Sequence, residues 1–125
     1  MERTFNARSD GGGRAVHDVG GLFAGPIDRH EHALTFHEKR VDALLMLLAR
    51  PNVVGLRVDA LRRMIESYSQ SEYDGSAYYE KWMRAIRNLL VELEVLTPAE
   101  IEAKMEEVVR RLEAEGRTVS REAIP

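Results

Sequence analysis

Three groups of side chains in the sequence are of types that bind metal ions, anions or small molecules. The densest group of potential metal ligands is His30-Glu31-His32 together with His37. A metal site needs three or four ligands in a fixed geometry, and neighbouring residues in a loop do not supply that geometry. We therefore predict that this cluster is solvated or faces a partner, and that the chain itself holds no metal ion.

A pair of arginines is the second group. Arg62 and Arg63 follow Leu61 in a segment with helical periodicity. One interpretation is that both arginines lie on a solvated helix face. The other is that one of them reaches across an interface and binds an anionic group with its planar fork of donors. The pattern leaves both interpretations open.

The third group is aromatic. Tyr78, Tyr79 and Trp82 lie close together in the sequence, after Ser76. Part of this group belongs to the apolar stripe of a helix and hence to the core. Tyr78 and Trp82 are one helical turn apart and share a side of that helix. The alternative is that they line a pocket.

An irregular stretch, His17–Arg29, precedes all three groups. Gly20, Gly21, Gly25 and Pro26 exclude a helix or a regular strand there. The stretch is nevertheless not a flexible linker, because it carries apolar residues, and linkers are polar and rich in Gly and Ser. Its apolar anchors are Val19, Leu22, Phe23 and Ile27. They pack either on the chain's own domain or on another subunit; we take the second as the working hypothesis.

Helices are predicted to position these groups, since no segment has the alternation of a strand. Thr35 and Glu38 form a capping box that starts the first helix. Its broad apolar face predicts that this helix is well buried. The second helix begins near Val58, and the polar segment Ser69–Gly75 after it is predicted to be a loop.

Two further helices complete the prediction. Ser76 is the expected N-cap of the third helix. Thr97, Pro98 and Glu100 are the clearest helix start in the sequence, and Gly116 ends that fourth helix. We predict an all-α fold, a small helical domain of about four helices with a long irregular N-terminal arm.

The 125 residues suffice for one domain. We expect a disordered tail at 1–16, a helical domain at 17–116 whose docking arm spans 17–34, and a second tail at 117–125. No apolar run approaches the length of a membrane span, and no secretory signal is recognised. The expected location is the cytoplasm.

Composition excludes several classes of function. The sequence has no cysteine, so disulfides, thiolate metal ligands and a cysteine nucleophile are excluded. A formal net charge of -3 and a pI of about 5.8 argue against a phosphate-binding surface. A helix-turn-helix nucleic-acid binder is the corresponding alternative, and it would use Arg62, Arg63, Arg84 and Arg87. We expect neither nucleic acid nor membrane as a partner.

Several motifs then occur in one order along the chain. They are HDVGG at 17–21, GPI at 25–27, FHE at 36–38, VDALR at 58–62 and YYEKW at 78–82. In this combination the chain resembles the N-terminal half of the β subunit of nitrile hydratase. It is also similar to the β subunit of thiocyanate hydrolase, in which that half is a separate polypeptide. The resemblance extends from about residue 17 to about residue 109.

The resemblance implies a subunit of an enzyme that adds water to a nitrile and forms an amide. A cobalt(III) or iron(III) ion is then held by the partner α subunit, in a loop with oxidised cysteines. Arg62 occupies the position of an arginine that hydrogen-bonds to the oxidised cysteine oxygens. Tyr78 and Trp82 occupy positions that line the substrate pocket. The residues implied in docking on the α subunit are His17, Asp18, Gly20, Gly21, Phe23 and Pro26.

Two departures from the family pattern affect the inference. The usual β chain continues into a small SH3-like barrel that is absent here, so we expect a second small subunit to carry it, as in three-subunit enzymes of the toyocamycin nitrile hydratase type. Trp82 replaces a common tyrosine, which reshapes the pocket. The alternatives are a thiocyanate hydrolase subunit and an activator that resembles a metallochaperone.

Overall fold

All regular structure in the described part of the chain is helical. The computed structural model describes residues 15–18 and 25–120. These ranges contain five helices, and the predicted all-α fold is confirmed. None of these helices is both long and apolar enough to cross a membrane. The helices are α1 (Phe36–Leu48), α2 (Val58–Glu66), α3 (Gln70–Gly75), α4 (Tyr78–Glu92) and α5 (Pro98–Ala114).

The chain divides into two compact units, Met1–Ile86 and Arg87–Pro125. Helix α4 begins in the first unit and continues into the second. In the second unit, the side chains of Leu89 and Val109 are buried. The buried apolar side chains of the first unit are Val16, Val41, Leu45, Leu56, Leu61, Tyr68, Ala85 and Ile86.

The helix starts that local chemistry predicts most clearly are confirmed. The backbone N–H of Glu38 donates to the Thr35 hydroxyl (3.2 Å), and the backbone N–H of Thr35 donates to the Glu38 carboxylate (3.0 Å). Thr97 and Glu100 form the same reciprocal pair at the start of α5, with Pro98 in its first turn. Each box satisfies backbone donors that the helix cannot satisfy itself.

The segment predicted to be a loop contains α3, so that prediction is wrong. Ser69 and Glu72 form a third capping box, with the Glu72 carboxylate 2.9 Å from the Ser69 nitrogen. Ser76, the predicted N-cap of the next helix, is instead the C-cap of α3. Helix α4 begins two residues later, where the Ala77 backbone N–H donates to the Glu80 carboxylate at 3.1 Å. The helix start thus uses a carboxylate from inside the first turn rather than a hydroxyl before it.

Helix α1 is less buried than its apolar pattern predicts. Val41 and Leu45 are buried. Phe36 is 78% exposed, Met46 67% and Leu47 53%. These three residues lie on the side of the helix away from Val41 and Leu45, because successive residues advance by about 100°. The helix therefore has two apolar faces, and the fold of this chain covers one of them.

The first unit is held together around Tyr68, just after α2. Its ring is buried, and its hydroxyl donates to the Lys81 carbonyl in α4 at 2.6 Å. The buried Val16, at the end of the predicted tail, lies in a turn in which the Asp18 N–H donates to the Ala15 carbonyl at 2.9 Å. The hydrogen bond from Tyr68 to Lys81 connects the end of α2 to the first turns of α4, where the candidate aromatic residues lie.

Helices α4 and α5 end in the same hydrogen-bonded motif with different residues at its left-handed position. After α5, that position is Gly116, with φ of 79°. After α4, it is Glu94, with φ of 57°. The N–H of Val95 donates to the Leu90 carbonyl at 2.9 Å and closes the motif. Glutamate is strained there, because a Cβ disfavours positive φ.

Candidate functional site

Three aromatic rings form a closed cluster at the start of α4, here called the aromatic triangle (Tyr78, Tyr79 and Trp82). The ring centroids of Tyr78 and Trp82 lie 5.3 Å apart. The Tyr79 centroid lies 5.3 Å from that of Tyr78, with the rings perpendicular, and 5.0 Å from that of Trp82. Separations of 4.5–7 Å are those at which aromatic pairs attract. The structure therefore brings together the two residues predicted to line a pocket and adds a third.

The three rings differ in exposure. Tyr78 is 64% exposed, whereas Tyr79 and Trp82 are half-buried. Burial, followed by the negative charge of Asp42 in α1, raises the pKa of the Tyr79 phenol. Tyr79 consequently stays protonated through the neutral range. The triangle thus presents an outer ring supported by two inner ones, an apolar surface suited to a small molecule.

Arg62 lies on α2, next to the buried Leu61, and its side chain is exposed. It makes no hydrogen bond, ion pair or ring contact with another residue of the described ranges. Arg63, by contrast, has an interaction partner within the chain. The guanidinium of Arg62 is therefore available for an anionic group outside this chain.

The two described ends of the N-terminal arm differ in their contacts and exposure. His17 lies 3.9 Å from the carboxylate of Glu66 in α2, so the start of the arm lies against the chain's own domain. Pro26 and Ile27 are exposed, Ile27 by 84%. Among the remaining predicted docking residues, Asp18 is exposed, and Gly20, Gly21 and Phe23 lie outside the described residues. A single exposed isoleucine is common on protein surfaces, so the docking role of this part of the arm stays a prediction.

The histidines of the arm share one carboxylate. His30 Nδ1 lies 2.8 Å from one oxygen of Asp28, and His32 Nε2 lies 3.0 Å from the other. The pKa of the Asp28 carboxyl is lowered chiefly by the hydrogen bond from the backbone N–H of His30. The hydrogen bonds with the His30 and His32 rings lower it further. Within the described ranges no three His, Asp or Glu side chains come together as a metal site requires. This geometry is that of a local turn and does not fit a bound metal.

Sequence reasoning assigned no role to Asp28, and it gave Tyr79 no functional role beyond its place in the aromatic group and the apolar stripe of its helix. A signal existed for each. Asp28 precedes His30 by two residues and His32 by four, a spacing that lets aspartate bond to the chain just after it. Tyr79 precedes Trp82 by three residues, and helical residues three apart are neighbours.

The chain is similar to known proteins in sequence and in structure. A family model described as "Nitrile hydratase beta subunit, N-terminal" matches residues 14–123. Among solved structures, the chain is similar to thiocyanate hydrolase from Thiobacillus thioparus, solved as the recombinant apo-enzyme, with 28% identity and a TM-score of 0.70. The match covers 86% of this chain and 68% of that chain. No curated protein sequence matches. Residues 14–123 are most of the chain, and it therefore belongs to the nitrile hydratase β-subunit N-terminal family.

Proposed function

We propose that this chain is the β-type subunit of a heteromeric nitrile hydratase and contributes to hydration of a nitrile to an amide. The observation that carries the proposal is the family match over residues 14–123. The aromatic triangle supports it, since an apolar, partly exposed cluster suits a substrate with a small hydrophobic body. The chain is proposed to cover the active site of the α subunit and to line the pocket with Tyr78 and Trp82.

The metal in this proposal, cobalt(III) or iron(III), belongs to the α subunit. It would supply Lewis acidity for the attack of water on the nitrile. The described residues of this chain do not fit a metal site, so their proposed roles are binding and orientation. Arg62 is proposed to donate hydrogen bonds to oxidised cysteine oxygens of the α subunit. Its exposed guanidinium without a partner in the described ranges supports that role.

The arm, proposed to span 17–34, is assigned to docking. Ile27 is 84% exposed, and covering such a side chain contributes about 1.5–3 kcal/mol. His17 contacts the chain's own α2 through Glu66, which supports an arm anchored at its start and free to dock further along. A second small subunit with an SH3-like barrel is proposed to complete the assembly.

Thiocyanate hydrolysis is the second candidate function. The structural match to the Thiobacillus thioparus enzyme favours it, with a TM-score of 0.70. Both candidates use the same assembly and differ in the substrate that enters the pocket. An activator that binds the α subunit only transiently is a third candidate function, and such a protein would not remain in the purified enzyme.

The test is co-expression of this chain with an α subunit and a second small subunit of the proposed kind. The purified complex is assayed with a panel of nitriles and with thiocyanate. Amide formation from nitriles, dependent on this chain, supports the proposal, and turnover of thiocyanate alone overturns it in favour of the second candidate. A fully active α subunit that has lost this chain during purification would instead support the activator.

A further inference from the structure

We infer that Tyr79 is a positioning residue that holds Tyr78 and Trp82 in one arrangement at the substrate pocket. This inference rests on the proposed function, which assigns the pocket to Tyr78 and Trp82. It assigns to Tyr79 a role that neither the periodicity nor the family motif specifies. The argument comes from the geometry of the triangle.

Tyr79 contacts both other rings of the triangle and is itself half-buried. Its centroid is 5.3 Å from that of Tyr78, with an interplanar angle of 90°. The Tyr79 centroid is 5.0 Å from the Trp82 centroid, with an interplanar angle of 54°. Edge-to-face and tilted contacts of this kind have preferred angles, so each of them restricts rotation of the neighbouring ring. Without Tyr79, the ring contact that remains within the triangle is that between Tyr78 and Trp82, whose centroids lie 5.3 Å apart.

The half-buried side chain of Tyr79 lies within electrostatic range of α1. The charges of Asp42 and Glu38, both on that helix, act on its phenol. Their positions place them on the flank of α1 that also carries the buried Leu45. Tyr79 is thus half-buried and under the electrostatic influence of α1, while Tyr78, at 64% exposed, forms the outer surface. An inner ring held by the fold can transmit its position to an outer ring that meets substrate.

The ring of Tyr79, and not its hydroxyl, performs this role. The phenol oxygen makes no hydrogen bond with another residue of the described ranges. Phenylalanine keeps the ring and its edge-to-face contacts, whereas leucine keeps helix propensity and apolar volume but has no ring. The inference therefore predicts that Tyr79→Phe is nearly silent and that Tyr79→Leu is not.

The first readout is spectroscopic and needs no substrate. Trp82 is the single tryptophan of this chain, so the assembled complex is produced with 5-fluorotryptophan, and the Trp82 resonance is identified by its absence in Trp82→Phe. We expect one sharp ¹⁹F line in the parent complex and in Tyr79→Phe. We expect a broadened or multiple line in Tyr79→Leu, because the indole then samples several arrangements. An unchanged sharp line in Tyr79→Leu would overturn the inference.

The second readout is kinetic. Tyr79→Leu is expected to raise KM about tenfold with a smaller change in kcat, because the loose pocket binds substrate less well. Tyr73→Leu is the matched control. Tyr73 is also a half-buried tyrosine, and it lies outside the triangle. The centroid of its ring is 4.1 Å from Nζ of Lys81 in α4. An equal effect of both leucine variants on KM would indicate a general structural role and overturn the inference.

A substitute variant and the combination of two readouts keep the test decisive. Tyr79→Met, a second helix former without a ring, replaces Tyr79→Leu if the leucine variant does not assemble. If the parent complex turns over neither nitriles nor thiocyanate, the proposed function fails, while the ¹⁹F line still tests the role of Tyr79. If the parent complex is active and Tyr78 and Trp82 variants change KM but Tyr79→Leu does not, the positioning role alone fails.

Discussion

Replacing Arg62 by lysine is the most direct test of how this chain would act on its partner's active site. The structure places Arg62 on α2, exposed and beside the buried Leu61. It makes no hydrogen bond or ion pair within the described ranges, so the substitution removes no contact from this fold. The expected change in the free energy of unfolding is within about 0.5 kcal/mol, as for other exposed positions. An effect on turnover would then come from across the interface.

The expected size of that effect follows from the donor geometry. A guanidinium can donate two parallel hydrogen bonds to oxidised cysteine oxygens, whereas an ammonium keeps the charge but not the fork. One hydrogen bond to a charged group is worth about 1.5–3 kcal/mol. Since about 1.4 kcal/mol corresponds to one decade in rate, Arg62→Lys should lower turnover at least about tenfold.

The assay is steady-state turnover of the assembled complex, with assembly followed by size-exclusion chromatography. We expect Arg62→Lys to assemble normally and to lose activity. The control is Arg63→Lys, because Arg63 points about 100° away around α2 and already has a partner in its own chain. Full activity of Arg62→Lys, or a larger loss in Arg63→Lys, would refute the assignment even though the family membership stands.

Three other predictions concern the fold and the arm. Glu94→Gly should raise the free energy of unfolding by about 0.5–1 kcal/mol, because φ of Glu94 is 57° and glycine adopts this value without strain. An unchanged thermal unfolding temperature would contradict backbone strain at Glu94. Hydrogen bonds from Thr97 lower the pKa of the Glu100 carboxyl. The ionised carboxylate therefore stabilises the fold above about pH 4.5, and this contribution is lost as the pH falls through the lowered pKa. Glu100→Gln should flatten the acid limb of a pH titration of the fold followed by circular dichroism. Residues 25–34 should gain protection from hydrogen exchange when the α subunit is added, and equal exchange in both states would exclude docking by this part of the arm.

Short-range chemistry accounts for the parts of the fold that the sequence predicts well. A hydroxyl three residues before a glutamate satisfies the same backbone donors in any context, and both boxes at Thr35 and Thr97 form as expected. The same chemistry is present at Ser69 and Glu72, but the six-residue helix α3 has no apolar stripe, so periodicity does not predict it. The capping box is the local signal for this helix.

Other features depended on distant parts of the chain. The exposure of Phe36 and Leu47 does not follow from the pattern of α1, since periodicity identifies apolar faces but not which of them the fold covers. In each case the surroundings of a side chain decided its role.

The sequence by itself determined the helical class, the clearest helix starts and the family resemblance, because capping, periodicity and ordered motifs are local properties that a chain carries wherever it folds. Only the tertiary structure decided which side chains meet. It left Arg62 without a partner in the described ranges while giving Arg63 one. It also oriented and partly buried the rings of Tyr78, Tyr79 and Trp82, which helical spacing places near one another, so that their centroids form a triangle with sides of 5.0–5.3 Å. Contacts of this kind depend on ring orientation and on the burial of one face of a helix, and neither is set by spacing along the chain.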